Sequence, residues 1–103
     1  MNASRSQASE KLGMLVRRLR EKNSMSRQTL SERSGLNSSH LARIEAGEGN
    51  PTLFALIQLA TALEQKPEVF VSGLTAADLP KDVKTPYSEA DFRRELRRRE
   101  GEA

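Results

Sequence analysis

The residues best suited to bind a charged partner are the basic side chains near the start of the chain. Residues 1–27 contain seven bases and two acids, a net charge of +5, whereas residues 28–74 carry three bases and five acids. The seven bases are Arg5, Lys11, Arg17, Arg18, Arg20, Lys22 and Arg27. A basic region of this kind suits an anionic partner such as nucleic acid, although an exposed cationic helix surface with no partner explains the charge by itself.

Residues that could carry catalysis or bind a metal are scarce. The 103-residue chain has no cysteine, a single histidine (His40) and no glycine-rich phosphate loop. Thiol chemistry, disulfides and cysteine-ligated metals are therefore excluded, and we expect no enzymatic activity, no metal and no cofactor. Beyond one small domain, the chain is also too short to enclose a ligand pocket of ordinary size.

No segment is typical of a membrane or secreted protein. No apolar run approaches the roughly 20 residues that span a bilayer. The polar first residues lack the hydrophobic stretch of a signal peptide. We therefore expect a cytoplasmic protein.

Hydrophobic periodicity predicts an all-α fold, a compact domain of five helices followed by a C-terminal extension with a further short helix. The first helix starts at about Ser9 and ends near residues 22–24. Its apolar stripe consists of Leu12, Leu15, Val16 and Leu19. Two short helices follow, residues 27–34 capped by Ser26 and residues 38–46 capped by Asn37. Gly35 ends the first of these two because glycine tolerates positive φ.

The fourth and fifth helices complete the predicted domain. Thr52 caps the fourth helix, and Pro67 opens a short fifth helix around residues 68–71 that directs Val69 and Phe70 inward. The predicted inner residues of the fourth helix are Leu53, Leu56, Ile57, Ala60 and Leu63.

Composition divides the chain into four segments. These are a flexible basic N-terminus (1–8), the helical domain (9–74), a linker containing Pro80 and Pro86 (75–86), and a C-terminal helix with its tail (87–103).

The C-terminal helix, predicted from Ser88 to Arg99, has a strong start signal. Ser88 and Asp91 form a pair like a capping box, and Tyr87 and Phe92 occupy the positions of a hydrophobic staple. Its apolar stripe of Phe92 and Leu96 buries too little area to hold an isolated helix. We therefore expect it to dock on its own domain, on a second subunit or on another protein, and we favour the second subunit.

The two short helices joined through Gly35 have the proportions of a helix-turn-helix, which small helical domains without nucleic-acid partners also contain. The residues themselves are more specific. Residues 9–72 closely resemble the lambda-repressor-like family, which includes Cro proteins and small bacterial regulators of the xenobiotic-response-element type. The resemblance is carried by V-R-x-L-R at 16–20, Ser26 with Leu30, Gly35, I-E-x-G at 44–47, Asn50-Pro51 and L-x-x-L-A-x-A-L at 56–63.

This resemblance implies that the helix 38–46 reads base edges in the major groove of DNA. The residues at the base-contacting positions are Asn37, Ser38, Ser39 and Arg43. Arg43 is the strongest candidate because its forked side chain matches guanine O6 and N7 together. Asn37 has a competing role as the cap of its own helix.

The resemblance also implies phosphate contacts. The candidates are Arg17, Arg27, Gln28, His40 and Asn50. Arg27 stands where many relatives have a glutamine that binds phosphate and braces the recognition helix. Arginine keeps the charge but leaves that bracing bond in doubt, and Gln28 faces another direction. Glu48 opposes phosphate binding by the loop around Asn50.

Arg20 and Glu45 match a structural ion pair between the first and third helices of relatives. We therefore assign them to the stability of the fold and not to DNA contact.

The combined pattern favours a homodimeric, sequence-specific DNA-binding transcriptional regulator, a repressor, on a palindromic operator with half-sites about one helical turn apart. The alternative hypothesis is an antitoxin of the same fold, which would bind a protein toxin through the C-terminal tail and repress its own operon.

Overall fold

A computed structural model describes residues 5–81 and 89–101 of the chain. In these residues the fold is all-α, which confirms the predicted class. The α-helices are α1 (Gln7–Lys22), α2 (Arg27–Ser34), α3 (Ser38–Glu45), α4 (Leu53–Ala62) and α5 (Glu89–Gly101). Two 3₁₀ helices, Pro67–Phe70 and Ala76–Asp78, lie between α4 and α5. No helix in the described ranges combines the length and apolar character needed to cross a membrane.

Local capping chemistry fixes the helix starts. The predicted caps Ser26, Asn37 and Thr52 are confirmed, since each side chain accepts a hydrogen bond from the backbone N–H three residues later. Gly35 has the predicted left-handed conformation, with φ of 81°. The first helix starts two residues earlier than expected because Ser6 forms its cap.

One core joins α1–α4 and the first 3₁₀ helix. Its largest fully buried side chains are Val16, Leu30, Leu41, Ile44, Leu59 and Leu63. Phe70 closes the core from the 3₁₀ helix and is 3% exposed. The predicted fifth helix opens at Pro67 as expected, but it is a four-residue 3₁₀ helix that ends at Phe70.

The packed side of α4 agrees with the prediction in part, since Leu56 packs against the core and Ala60 and Leu63 are buried as expected. Its buried side consists of Ala55, Leu59, Ala60, Ala62 and, at the cap, Leu63. Leu53 and Ile57, both assigned to the core from the sequence, are 67% and 43% exposed. Because α4 is apolar on almost every side, periodicity does not select a face. The buried alanines of α4 lie on its packed side, where their small side chains allow close contact with the core. A hydrogen bond from Gln58 Nε2 to the Ser34 carbonyl, at 3.1 Å, also links α4 to the end of α2.

The first part of the predicted linker folds onto the domain. Thr75 and Asp78 form a capping box around the second 3₁₀ helix. Lys11 Nζ on α1 donates to Asp78 Oδ1 at 2.7 Å, and the Asp78 side chain is 5% exposed. Residues 70–80 fold back towards the start of α1, and Phe70, Leu74 and Leu79 line one side of a partly open apolar cleft of about 410 Å³.

The C-terminal helix α5 extends two residues beyond the predicted end at Arg99. Glu95 forms ion pairs with Arg98 and Arg99, and Leu96 is 42% exposed. The predicted cap Ser88, its partner side chain and the hydrophobic staple lie outside the described residues. The division into four segments and the docking of this helix stay predictions.

At Gly13 the backbone of α1 passes very close to the last turn of α3. A Cβ atom added there would lie 2.3 Å from the Ile44 carbonyl oxygen and 3.0 Å from that of Glu45. Backbone atoms cannot rotate away, so only glycine allows this approach. This close approach could not be predicted from the sequence, because Gly13 occupies the middle of an otherwise ordinary helical pattern.

We expect Gly13→Ala to destabilise the fold. Alanine is better than glycine inside a helix by about 1 kcal/mol, but overpacking against backbone costs about 1–3 kcal/mol or more. The net loss should appear as a lower midpoint in urea unfolding. Gly73→Ala is the matched control, since nothing lies within 4 Å of its added Cβ and its φ is not positive. Equal stability of the two variants would contradict the close approach of α1 to α3.

The ion pair between Lys11 and Asp78 should make the free energy of unfolding depend on pH in the acidic range. The hydrogen bond from Lys11, followed by that from the Thr75 N–H, holds the pKa of Asp78 below its ordinary value of 3.8. A carboxyl whose pKa is lowered on folding stabilises the fold above its unfolded pKa, and this contribution is lost as the pH falls through the folded value.

Asp78→Asn keeps an acceptor for Thr75 and removes the ion pair. Its melting temperature should therefore be lower than that of the unchanged protein near neutral pH. The difference should shrink as the pH falls below 3.8. A difference that stays constant down to strongly acidic pH would show that the charge of Asp78 contributes nothing.

Candidate nucleic-acid interface

The start of α3 presents a polar, solvent-exposed surface. Asn37, Ser38 and Ser39 are exposed, and His40 is half-buried. Asn37 Oδ1 accepts the His40 backbone N–H at 2.7 Å, so the capping role of Asn37 is realised. Its amide nitrogen is the group left to face a partner. The two serines contribute short side chains that both donate and accept hydrogen bonds.

Arg43 shares the outer side of α3 with Ser39, because the two residues are one helical turn apart. The side chain of Arg43 is exposed, as is that of Arg27 at the start of α2. In the described part of the chain neither arginine forms an ion pair. Both guanidinium groups are thus available to an anion or to a base edge.

The N-termini of α2 and α3 add a second source of positive potential. Neither helix has an acidic residue in its first turn. The free N–H groups and the helix dipole at such ends favour phosphate. Arg27 at the first position of α2 adds a full charge to that end.

The inner side of α3 is held by the pair Arg20–Glu45. Arg20 Nε donates to Glu45 Oε2 at 2.7 Å, and Arg20 Nη2 donates to Oε1 at 2.9 Å. Arg20 Nη1 also donates to the Met25 carbonyl at 2.8 Å, which connects the loop before α2 to the same cluster. The two side chains are only 14% and 7% exposed. The hydrogen bond to Glu45 raises the pKa of Arg20 above its ordinary value, so the guanidinium stays protonated.

The loop after α3 is anchored to α1. Ser9 Oγ donates to the Gly47 carbonyl at 2.8 Å, and Arg5 Nη2 donates to the Ala46 carbonyl at 3.2 Å. Arg5 also forms an ion pair with Glu48 at 3.1 Å. Glu48 is therefore not an isolated negative charge beside the exposed Asn50. This role of Arg5 could not be predicted from the sequence, because 43 residues separate the two partners.

The other predicted phosphate contacts have different surroundings. Arg17 on α1 is 66% exposed and forms an ion pair with Glu21 at 2.8 Å. Gln28 is exposed, and its Nε2 lies 3.5 Å from Glu32 Oε1. Asn50 is exposed in the loop that follows α3. These residues and Arg27 lie on three elements around α3, and in the described ranges no bond links them to Ser38, Ser39 or Arg43.

Comparison with known proteins identifies the family to which this helical domain belongs. The sequence pattern of the HTH_3 family, described as helix-turn-helix, matches residues 16–70, just over half of the chain. This protein belongs to the HTH_3 family. The HTH_3 match starts inside α1 and ends at Phe70, the last residue of the first 3₁₀ helix.

One curated protein is similar to about half of this chain. An uncharacterized HTH-type transcriptional regulator, y4dL of Sinorhizobium fredii (strain NBRC 101917 / NGR234), is 42% identical over 55 residues. That match covers 53% of this chain and 28% of the relative, so the chain spans little more than a quarter of the curated relative's length.

Two solved structures have a similar fold. The restriction-modification controller protein C.AhdI of Aeromonas hydrophila superposes with a TM-score of 0.59 at 35% identity, covering 60% of this chain and 94% of that one. An HTH_3 family transcriptional regulator from Vibrio cholerae gives a TM-score of 0.59 at 25% identity, covering 63% of this chain and 36% of that one.

We expect Glu45→Ala to destabilise the domain by about 3 kcal/mol, because it leaves the guanidinium of Arg20 largely buried without its carboxylate. Urea unfolding measures the loss. Glu21→Ala is the matched control, since it removes the exposed partner of Arg17 and should cost at most about 0.5 kcal/mol. Unchanged stability of Glu45→Ala together with weakened DNA binding would instead assign Glu45 to the interface.

Proposed function

We propose that this HTH_3 domain binds double-stranded DNA sequence-specifically and acts as a homodimeric transcriptional repressor. The observation that carries the proposal is the asymmetry of α3. Its inner side is fixed to the core through Leu41, Ile44 and Glu45, whereas Ser38, Ser39 and Arg43 are exposed on the other side. A helix that is rigidly held and presents hydrogen-bonding side chains outward is the arrangement that enters a major groove.

Arg43 is assigned to base recognition. Its forked side chain matches the two acceptors of guanine, and in the described residues no carboxylate competes for it. The hydroxyls of Ser38 and Ser39 either donate to a phosphate oxygen or exchange a hydrogen bond with the edge of a neighbouring base. The amide nitrogen of Asn37 is a further donor, while its oxygen caps α3.

Phosphate contacts set the position of the domain on the duplex. We assign them to Arg27 at the start of α2 and to Asn50 with its loop. We also assign one to Arg17, which would exchange its ion pair with Glu21 for a phosphate. Gln28 and His40 are the remaining candidates beside these groups. The pairing of Arg5 with Glu48 supports the assignment of the loop, because it neutralises the one carboxylate that opposes phosphate there.

Homodimerisation and repression complete the proposal. One α3 helix reaches only a few base pairs, so selectivity requires two copies on two half-sites related by symmetry. Bound to such an operator, a small domain represses by occupying the site. The similar proteins, two transcriptional regulators and a restriction-modification controller protein, support a regulatory role. The antitoxin alternative rests on the C-terminal tail and stays a hypothesis.

The proposal is tested by selecting DNA from a random pool with the purified protein and measuring its affinity for the selected site and for random duplex. Arg43→Ala should cost about 1–3 kcal/mol on the selected site and relax the preference at one base pair. Arg27→Ala should weaken binding to both DNAs alike. It should also reduce the slope of log affinity against log salt by about 0.9, the value for one phosphate contact.

Lys66→Ala is the control for the loss of one exposed positive charge away from α2 and α3. It should leave the base preference unchanged. Equal losses on selected and random DNA for Arg43→Ala would remove that residue from base recognition. Failure to select any sequence, with a flat salt dependence, would contradict the proposed function as a whole.

A further inference from the structure

The arginines of α5 are separated from its acidic residues on the helix surface, although the two kinds of residue alternate along the sequence. Helix positions advance by about 100° per residue, so Arg93, Arg94 and Arg97 fall within one arc of about 100°. The remaining positions of the helix Glu89–Gly101 in this arc are Ala90 and Gly101. No acidic residue of the helix falls within it. We name the surface of Arg93, Arg94 and Arg97 the α5 basic face.

The side chains of the α5 basic face are open to solvent. All three arginines are exposed, and among the residues that the structure describes Arg97 forms no ion pair. Glu89 and Glu100 flank one edge of the face, one turn before and two turns after Arg93. Arg93 and Arg94 have other interactions. Exposed ion pairs contribute little to stability, so phosphate can replace such partners at small cost.

The stability of α5 does not explain the α5 basic face. Arg97 follows Arg93 by four residues and Arg94 by three, and like charges at these spacings destabilise a helix. By contrast, Arg98 and Arg99 form stabilising ion pairs with Glu95. They are also the basic residues of the last turn, where they complement the helix dipole. The arginines of the face therefore repel one another in the free helix, and a polyanion would relieve that repulsion.

We propose that the α5 basic face binds phosphates of the DNA backbone beside the base pairs read by α3. The inference rests on the proposed function and adds a contact surface outside the helix-turn-helix. Arg93 and Arg97 are separated by about 6 Å along the helix axis. Each DNA strand carries a phosphate about every 3.4 Å along its own axis, so the face can meet two or three successive phosphates. The forked donors of arginine match phosphate oxygens.

The chain is long enough to bring α5 to the same duplex. It is held against α1 as far as Asp78, to which the Lys11 side chain and the Thr75 N–H both donate. Glu89 follows eleven residues after Asp78, which allows a separation of up to about 40 Å. This reach exceeds one helical turn of DNA, about 34 Å. Phosphates that flank the base contacts of α3 are therefore within range.

Two other classes of anionic partner match the α5 basic face less well. A helix that binds an anionic membrane carries large apolar residues opposite its basic side, and the sequence of α5 has only Phe92 and Leu96. A protein interface has a centre enriched in apolar and aromatic residues and depleted of charge. The arc of the α5 basic face contains only arginine, alanine and glycine, which favours a phosphate chain.

The test measures the affinity of the full chain for the selected duplex and for random duplex over a series of salt concentrations. The triple variant Arg93→Gln, Arg94→Gln, Arg97→Gln should weaken binding to both DNAs alike, by roughly tenfold at low salt. Its slope of log affinity against log salt should fall by up to about 2.7, at 0.9 for each phosphate contact. The triple lysine variant Arg93→Lys, Arg94→Lys, Arg97→Lys keeps the charges and should keep most of the slope.

Loss of the helix is not expected in the glutamine variant. Glutamine is a good helix former, and the changes remove the repulsion between the arginines. The helical circular-dichroism signal of the triple variant should therefore match that of the unchanged protein or exceed it.

Arg97→Gln and Arg99→Gln are matched single variants. Each removes one exposed positive charge from the same helix, but Arg99 lies about 200° around the helix from Arg97 and pairs with Glu95. Arg97→Gln should lower the salt slope by about 0.9, whereas Arg99→Gln should leave it unchanged. A larger loss of affinity for Arg99→Gln would overturn the inference, because it would assign the effect to the stability of α5.

Two further outcomes would overturn the inference and leave the proposed function intact. One is a triple glutamine variant whose salt slope equals that of the unchanged protein. The other is binding of the unchanged chain to phosphatidylserine vesicles that Arg97→Gln abolishes without any change in DNA affinity, which would assign the face to a membrane surface. Failure of the unchanged protein to select any DNA sequence is a different result, because it contradicts the proposed function itself and the inference with it.

Discussion

The close approach of α1 to the last turn of α3 is the constraint on which the rest of the domain depends. An eight-residue helix has too few hydrogen bonds to be stable in water by itself. Here Gly13 lets the backbone of α1 reach the carbonyls of Ile44 and Glu45, and the bidentate pair Arg20–Glu45 joins the same two helices. The exposed side chains of α3 can therefore differ in chemistry without loss of the fold, because the helix is held entirely from its inner side.

The same anchoring shapes the electrostatics of the candidate interface. Glu45 on α3 forms an ion pair with Arg20, and Glu48 in the following loop forms an ion pair with Arg5. Both carboxylates that chain position puts beside the proposed DNA surface are thus neutralised by arginines from α1 or the residues just before it. The positive charge of the N-terminal segment has two different uses, which the net charge alone does not separate. Arg5 and Arg20 cancel acids of the α3 region, whereas Arg27 is left to act outward.

Features that depend on neighbouring residues were predictable, and features that depend on distant residues were not. The caps Ser26, Asn37 and Thr52 were predictable because each side chain accepts the backbone N–H only three residues later. The end of α2 at Gly35 was predictable because glycine tolerates the positive φ that the turn requires. The pairs Arg5–Glu48 and Lys11–Asp78 join residues 43 and 67 positions apart, and no local pattern indicates them.

The orientation of α4 shows a third situation, in which the local pattern was present but uninformative. With apolar residues on nearly every side, the hydrophobic period fits several rotations of α4 equally well. The rotation is decided by where small alanines permit close packing. In the candidate site, family resemblance supplied positions such as Arg43, whereas the exposed surface of Phe54 required the structure.

Hydrogen bonds from α4 and α2 add a second support for the position of α3. Gln58 on α4 donates to the Ser34 carbonyl at the end of α2, and Ser31 Oγ donates to the Leu36 carbonyl in the turn that leads into α3. A short path of hydrogen bonds and packed core therefore runs from α4 through α2 to the start of α3. The pair Arg20–Glu45 joins the last turn of the same helix to α1. Because α3 is held at its start and at its end, its exposed side chains project from a fixed backbone, which is what a helix that reads base edges requires.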